Sequence, residues 1–284
     1  MGNLELKIPY TIWPFKPLWL KKKSEGIKTK KSTYPERWDE LTTKQFIRIH
    51  QIFYLIPGKE AQRAMITMML SKTSFLMWLR LTLIQRVQLQ WLFDWVYSDK
   101  SVVTRNFFPK IKIGVKSYLG PSNTMGNVNA SEFSEADFHF LNYHKHQKDE
   151  DLHLLIASLY REKDPLKSIK SPEYNGDLRE NFNTYTVDKR AKTIAKLSTW
   201  KKLGIYTFYR GCRKEIEQTY DRVFSKKTAA SVESYGWPET FMRMSGDQFG
   251  KVSEVMKNDM HEIFLKMQID LKDQEEWERK NKKK

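Results

Sequence analysis

Apolar residues recur along this chain with two different periods. From Leu4 to Ile12 the spacing is two: Leu4, Leu6, Ile8, Tyr10 and Ile12 are apolar, and Glu5 and Lys7 alternate with them. That alternation predicts a strand, and Pro9 restricts it to an edge strand or an extended arm. Pro14 and Pro17 prevent regular structure beyond it, yet Trp13, Phe15, Leu18 and Trp19 keep the stretch bulky and apolar. An arm of this kind either folds back on its own core or adds to a neighbour's sheet, and the sequence leaves both open. Residues 1–33 therefore read as an extended aromatic arm ending in a Lys-rich linker.

From Tyr34 the period becomes helical. Thr42 and Gln45 match a capping box, with Leu41 and Phe46 at the two staple positions. Phe46, Ile49, Ile52 and Phe53 then form one face, and Pro57-Gly58 ends the helix. A second helix is predicted over 59–70 and a third over 75–97. In the third, Leu79, Leu83, Val87, Leu89, Leu92, Trp95 and Val96 are so numerous that it reads as a central, well-buried helix. These helices make a first part, 34–98.

Residues 99–130 break the pattern and read as a junction. Val102-Val103, Ile111, Ile113 and Val115 suggest one or two short strands, as a hairpin or as a small sheet with the N-terminal arm. A second helical part, 131–224, follows. One helix opens at Ser134, and the next is capped by Asp149 or Asp151 with Leu152, Leu155, Ile156, Leu159 and Tyr160 inward. A long loop over 164–187 precedes helices over 188–197 and 199–224. A C-terminal segment, 225–284, holds a short helix near 238–244 and a long one over 252–278. The predicted fold is mainly α, a multi-helix bundle, with a minor β element from the N-terminal arm and residues about 100–116.

Composition narrows the classes. Hydrophobic residues are 40% of the 284, and 9 Trp, 13 Tyr and 16 Phe supply large buried area, which excludes a disordered chain. Cys212 is the only cysteine, which excludes a disulfide scaffold and a Cys-rich zinc module. The 12 glycines argue against a glycine-dependent nucleotide fold. The most apolar region, 64–97, is cut by Lys72, Arg80, Arg86 and Asp94 into pieces too short to span a bilayer. The N-terminus lacks the continuous apolar run of a signal peptide. A soluble, cytosolic chain with no membrane partner is expected.

The formal charge is +16, from 50 Lys+Arg against 34 Asp+Glu. Lys21, Lys22, Lys23, Lys28, Lys30 and Lys31 form one cluster, and Lys280, Lys282, Lys283 and Lys284 another. Blocks of like charge read first as solvated linker and tail. Contact with a polyanion is the second reading, and no base-reading motif accompanies either cluster, so nucleic-acid binding is expected to be weak or non-specific.

No catalytic constellation emerges, and no enzyme activity, cofactor or metal is expected. His139, His144, His146 and His153 lie close in sequence, but no two share the i, i+4 spacing of a helical metal site. Cys212 is flanked by Arg210 and Arg213, yet no histidine is near it in sequence to act as its base, and it reads as a buried structural thiol. No phosphate-cradling glycine loop is present. The last predicted helix presents Val252, Val255, Met256, Met260, Ile263, Phe264, Met267 and Leu271 as one stripe, and beyond Leu271 the residues turn almost wholly charged. The stripe either packs on the preceding bundle or docks a partner through flexible methionines. Met256, Met260, Phe264 and Met267, with Trp13 and Trp19 of the arm, are the candidate partner-binding residues.

Several segments carry a resemblance. The entry Tyr34-Pro35-Glu36-Arg37-Trp38-Asp39-Glu40-Leu41-Thr42 with Gln45 and Phe46 resembles the start of tail-region proteins of Bacteroidetes phages and prophages. Phe133, Ala136 and Asp137 through Tyr143, and Leu155-Ile156-Ala157 with Leu159-Tyr160-Arg161, are similar to the same group, as are Phe208-Tyr209, Gly211-Cys212-Arg213, Tyr220 and Val223-Phe224. Gly236-Trp237 and the long helix after it resemble the small helical domain that often ends tail assembly chaperones. The resemblance covers about 34–55 and 131–275, and its motifs are structural. It implies a non-enzymatic factor acting in the host cytoplasm during assembly, with tape measure or tube proteins as partners and self-association as a further contact. The arm of residues 1–33 departs from a compact chaperone, which keeps a structural component of the virion, in tail or neck, as the alternative, and a basic nucleic-acid-binding protein as a further one.

Overall fold

A computed structural model describes residues 1–9, 27–98, 101–172, 174–225, 236–246 and 250–281. The fold is mainly α with a minor β element: eleven α-helices and five short strands among the described residues. The chain divides into two compact units, Met1–Ser101 and Val102–Lys284. Residues 102–130 of the segment read as a junction fall in the second unit.

The first unit opens on a hairpin. Strand β1, Gly2–Pro9, pairs antiparallel with β2, Ile27–Tyr34, in a register that sets Gly2 opposite Tyr34 and Pro9 opposite Ile27. This selects between two alternatives left open for the arm and corrects the reading of the Lys-rich linker. The arm pairs with the Lys-rich segment rather than with residues 110–119, and Lys28, Lys30 and Lys31 lie on a strand rather than in a linker. Helix α1, Thr43–Leu55, starts at the expected capping box, with both reciprocal bonds between Thr42 and Gln45 formed. Helix α2 is Lys59–Leu70. The core gathers Trp38, Leu41, Phe46, Ile49 and Ile52 against Ile66, Leu70, Leu89 and Phe93. Trp38 sets its edge to Phe46 and to Trp95, at 5.9 and 5.4 Å between ring centres, a favoured arrangement for aromatic quadrupoles.

The long third helix expected over 75–97 does not form. Helix α3, Phe75–Arg80, ends at Leu81, and a new helix, α4, Leu83–Trp91, begins at a second capping box between Thr82 and Gln85. A 3₁₀ turn, Asp94–Tyr97, completes the unit. A box satisfies orphan amide donors at a helix start, so the chain is free to change direction there.

The second unit begins with a three-stranded antiparallel sheet in the order β3 Lys110–Ile113, β4 Lys116–Leu119, β5 Arg161–Glu162. Gly114 turns the hairpin at φ +60°, a conformation that favours glycine. Helix α5, Ala130–His146, starts four residues before the expected Ser134, capped by Asn129, whose Oδ1 accepts from the Glu132 amide at 2.8 Å. It packs on α6, Asp149–Leu159, and α6 in turn on α7, Val187–Ile194, and α8, Thr199–Thr219. Leu155, Ile156, Leu159, Ile205, Phe208 and Tyr209 are fully buried among these helices.

Three further helices end the unit: α9 Trp237–Met244, α10 Val252–Val255 and α11 Met260–Asn281. The single long helix expected from 252 is thus interrupted over 256–259. The interruption serves α5: the Ala130 and Ser131 amides, which have no partner inside their own helix, donate to the Asn258 and Met256 carbonyls at 3.0 Å each. From Lys272 to Asn281 the residues of α11 are all exposed, in line with the loss of its apolar face after Leu271.

Candidate interaction surface

The break at Leu81-Thr82 decides which apolar residues of 75–91 are buried. Had one helix run through, Leu79, Leu83 and Val87 would share an inward row. With the break, Trp78, Leu81 and Leu89 enter the core, while Phe75, Leu76, Leu79, Leu83, Ile84 and Trp91 stay more than half exposed. Leu83 and Ile84, just inside the start of α4, are exposed to 76% and 70%. On α4 the outward row continues from Ile84 through Gln88 to Trp91, at i, i+4 and i+7. Single exposed apolar residues are ordinary, but six on two consecutive short helices make this stretch the candidate interaction surface.

The corner that carries this row is held rigidly. Ser74 Oγ caps α3 by accepting from the Met77 amide at 3.3 Å. Arg86 reaches back from α4 and donates from Nε to the Trp78 carbonyl and from Nη2 to the Leu79 carbonyl, both at 3.0 Å. Both carbonyls lie at the C-terminal end of α3, where the Trp78 oxygen also accepts from the Leu81 amide at 3.2 Å, and a cation suits that terminus. The same guanidinium lies 5.7 Å from the centre of the Trp78 ring, a cation–π contact. From Ser71 to Phe93 the sequence has no carboxylate, while Lys72, Arg80 and Arg86 are cationic.

The residues expected to bind a partner are arranged otherwise. Met260 and Phe264 are fully buried. Phe264 stands at the centre of an aromatic cluster, 5.2 Å from Phe133, 5.2 Å from Trp237 and 5.6 Å from both Tyr220 and Phe224. Met256 and Met267 are partly buried against the core formed by Ala130, Phe241, Val255 and Ile263. The stripe packs on its own unit, the first of the two arrangements expected for it. Met267 alone also lines an open apolar groove of about 500 Å³, beside Phe138, Leu141, Phe224 and Trp237. Trp13, Trp19, Lys21, Lys22 and Lys23 lie outside the described residues. Lys28 and Lys30 are placed on β2 opposite Ile8 and Leu6, and Lys31, opposite Glu5, is exposed.

The clustered histidines go to separate partners. His139 Nε2 meets Glu135 at 3.2 Å, His144 Nδ1 meets the Tyr206 hydroxyl at 3.1 Å, and Lys202 Nζ donates to His153 Nε2 at 2.8 Å. Burial first, and then the Lys202 charge, hold His153 below the ordinary imidazole range. Among the described residues no group of three or more His, Cys, Asp or Glu is arranged to hold a metal. The Cys212 thiol is buried, 3.8 Å from the Thr104 carbonyl.

Sequence reasoning missed an interior ion network. Glu132, fully buried on α5, accepts from Arg161 at 2.6 Å and from Arg179 at 2.7 Å. Asp177 bonds both arginines, and Arg179 also donates to the Leu159 and Asn127 carbonyls at 2.8 and 2.7 Å. Arg190 bonds Glu180 at 2.8 Å. A buried charge is tolerated only with such partners, and the network fastens the long loop after β5 to α5 and α6. A charged residue inside an apolar helical face, as Glu132 is, would have been the only sign of it in the sequence.

No protein-family model, curated protein or solved structure matches this chain. No described helix is long and apolar enough to cross a membrane.

Proposed function

We propose that the chain is a non-enzymatic assembly factor of a phage tail, chaperone-like in action, which binds a tape measure or tube protein while the tail forms in the host cytoplasm. The observation that carries this reading is the exposed apolar row from Phe75 to Trp91 on a corner fixed by two caps and the Arg86 clamp. A surface held in one shape before binding loses less conformational freedom when a partner arrives. The buried ion pairs and buried thiol are consistent with interior structural roles rather than with catalysis. The resemblance to tail-region proteins supplies the partner class.

Co-expression tests it. The tape measure or tube protein is expected to co-purify with the wild-type chain and to be lost with Leu83→Asp/Ile84→Asp. Both side chains are exposed, so the variant should keep its helical circular dichroism. Retention of the tail protein by a folded double variant overturns the reading. Mass spectrometry of purified particles then separates an assembly factor, absent from the particle, from a structural component of tail or neck, which would give abundant peptides.

A further inference from the structure

We propose that one end of the second unit, where the β3–β4 turn and the loop after β5 emerge together, is a contact surface for an anionic lipid bilayer. Val115, Leu166 and Ile169 enter the lipid there, and the lysines around them meet its headgroups. The surface uses residues of the other unit and stands apart from the docking reading above.

Strand register brings the two tips to one end of the sheet. Ile113 pairs with Lys116, so Gly114-Val115 is a two-residue turn. Strand β5 runs back toward that turn, because Leu119 faces Arg161 and Tyr118 faces Glu162. Beyond β5 the chain stays paired: Lys163 bridges to Arg179, and the Asp164 amide donates to the Leu178 carbonyl at 2.9 Å. Residues 165–177 therefore leave the sheet at the same end as the turn. Lys116 fastens the two, donating to Glu162 at 2.7 Å. Both tips carry bare apolar side chains: Val115 is fully exposed, Leu166 is exposed to 91% and Ile169 to 68%. Lys112, Lys163 and Lys170 are exposed around them, and none of their ammonium groups is paired with a carboxylate among the described residues. Lys167 is held by neutral oxygens, the Arg179 carbonyl at 2.7 Å and Asn181 Oδ1 at 3.1 Å, and so keeps its charge. The carboxylates of the same strands and loop are engaged: Glu162 by Lys116, Asp177 by Arg161 and Arg179, Glu180 by Arg190, and Asp164 by the Leu166 amide at 3.0 Å. Glu173 lies outside the described residues.

A lipid surface satisfies both features at once. Apolar tips leave water on entering the acyl boundary, ammonium groups meet the headgroup phosphates, and binding grows with both. A protein partner needs a continuous packed face, whereas these three side chains stand on two separate tips. A nucleic acid would take the lysines and leave the tips in water. No described helix is long and apolar enough to cross a membrane, and a surface contact needs none.

The test sediments the full chain with vesicles of phosphatidylcholine, either pure or mixed with phosphatidylglycerol. In about 100 mM salt the chain is expected to bind the anionic vesicles about tenfold more tightly than the neutral ones, and less so in about 500 mM salt. Val115→Ser/Leu166→Ser/Ile169→Ser keeps every charge and should weaken that binding about tenfold, with unchanged circular dichroism. Lys112→Gln/Lys163→Gln/Lys170→Gln should reduce binding of the anionic vesicles to the level of the neutral ones. Failure to sediment with the anionic vesicles overturns the inference. So does full binding by the serine variant, which would be the general attraction of a chain of charge +16 to any polyanion. Binding lost instead in Leu83→Asp/Ile84→Asp would assign the lipid to the first unit and overturn it too. Duplex DNA bound in place of vesicles, and released by the glutamine variant alone, would give the lysines to nucleic acid. None of these outcomes decides capture of a tail protein, which the Leu83/Ile84 variant tests separately.

Discussion

Gly211 is where a single residue sets how closely two segments approach. It lies on the buried side of α8, and a methyl group added there would overlap the backbone of Val103. Glycine ordinarily weakens a helix interior, so its presence on a 21-residue helix needs a reason, and close backbone approach is one. Helix propensity alone would favour alanine by about 1 kcal/mol. The overlap decides the sign, because backbone on both sides cannot rotate away as a side chain can. Gly211→Ala is expected to destabilise the second unit by about 3 kcal/mol, seen as a lower urea midpoint with an unchanged slope. A stabilised or neutral variant would mean that the 102–104 segment does not pack on α8 in solution. In the sequence Gly211 carries no signal beyond the resemblance, because nothing local distinguishes a glycine that admits a distant backbone from one that is merely tolerated.

At the level of elements, apolar spacing revealed where helices exist but not where they stop. Helices α1 and α2 were legible because their limits are local: the Thr42–Gln45 box at one end and Pro57-Gly58 in between. The two failures share a cause. Leu79-Leu83-Val87 and Val252-Met256-Met260 keep a spacing of four across a break, so periodicity continues although the backbone does not. The first break was readable, since Thr82 and Gln85 repeat the Thr42–Gln45 signature inside the apolar run. The second was not, because it is fixed by donation from Ala130 and Ser131, more than a hundred residues earlier. Strand β2 was illegible because Lys28, Lys30 and Lys31 give it no apolar alternation. The missed apolar row follows from the first failure: a helix taken as continuous is taken as buried. The contact between α6 and α8 carries a further prediction. Lys202 donates to His153 Nε2, which requires a neutral ring. The unfolded chain takes up this proton near pH 6.5, whereas in the fold the pKa is held lower. Between the two values the unfolded state holds more protons, so this contribution to stability is intact above about pH 6.5 and falls as the pH drops below it. His153→Gln, whose side chain can still accept from Lys202, should lose less stability than wild type between pH 7 and pH 5.5 in urea titrations. Parallel losses would remove His153 as the cause.

For the whole molecule, the excess of positive charge has to be located before it can be given a role. Arg161, Arg179 and Arg190 are buried and matched by Glu132, Asp177 and Glu180, and Arg213 is matched by Asp137 and Glu217. These cations hold the second unit together and offer nothing to a ligand. The formal excess of +16 is spread over both units, with exposed cations such as Arg80 on the first and Lys112 on the second. Charge dispersed in this way attracts any polyanion, but it cannot read bases, which requires side chains fixed against base edges. We expect duplex DNA to bind with a dissociation constant of about 1 μM or weaker near 150 mM salt, the range of non-specific contacts. Affinity should fall steeply and linearly on a logarithmic salt axis, as counterions are released from each neutralised phosphate. Fluorescence anisotropy with two duplexes of the same length and scrambled sequence should give the same constant at every salt concentration. The apolar row should not matter to this binding, so Leu83→Asp/Ile84→Asp should shift the DNA curve only by its two added charges while abolishing capture of a tail protein. A constant near 10 nM for one duplex at physiological salt, with its scrambled partner much weaker, would instead place the chain among sequence-specific DNA-binding proteins. The apolar row would then need a different occupant from the one proposed above.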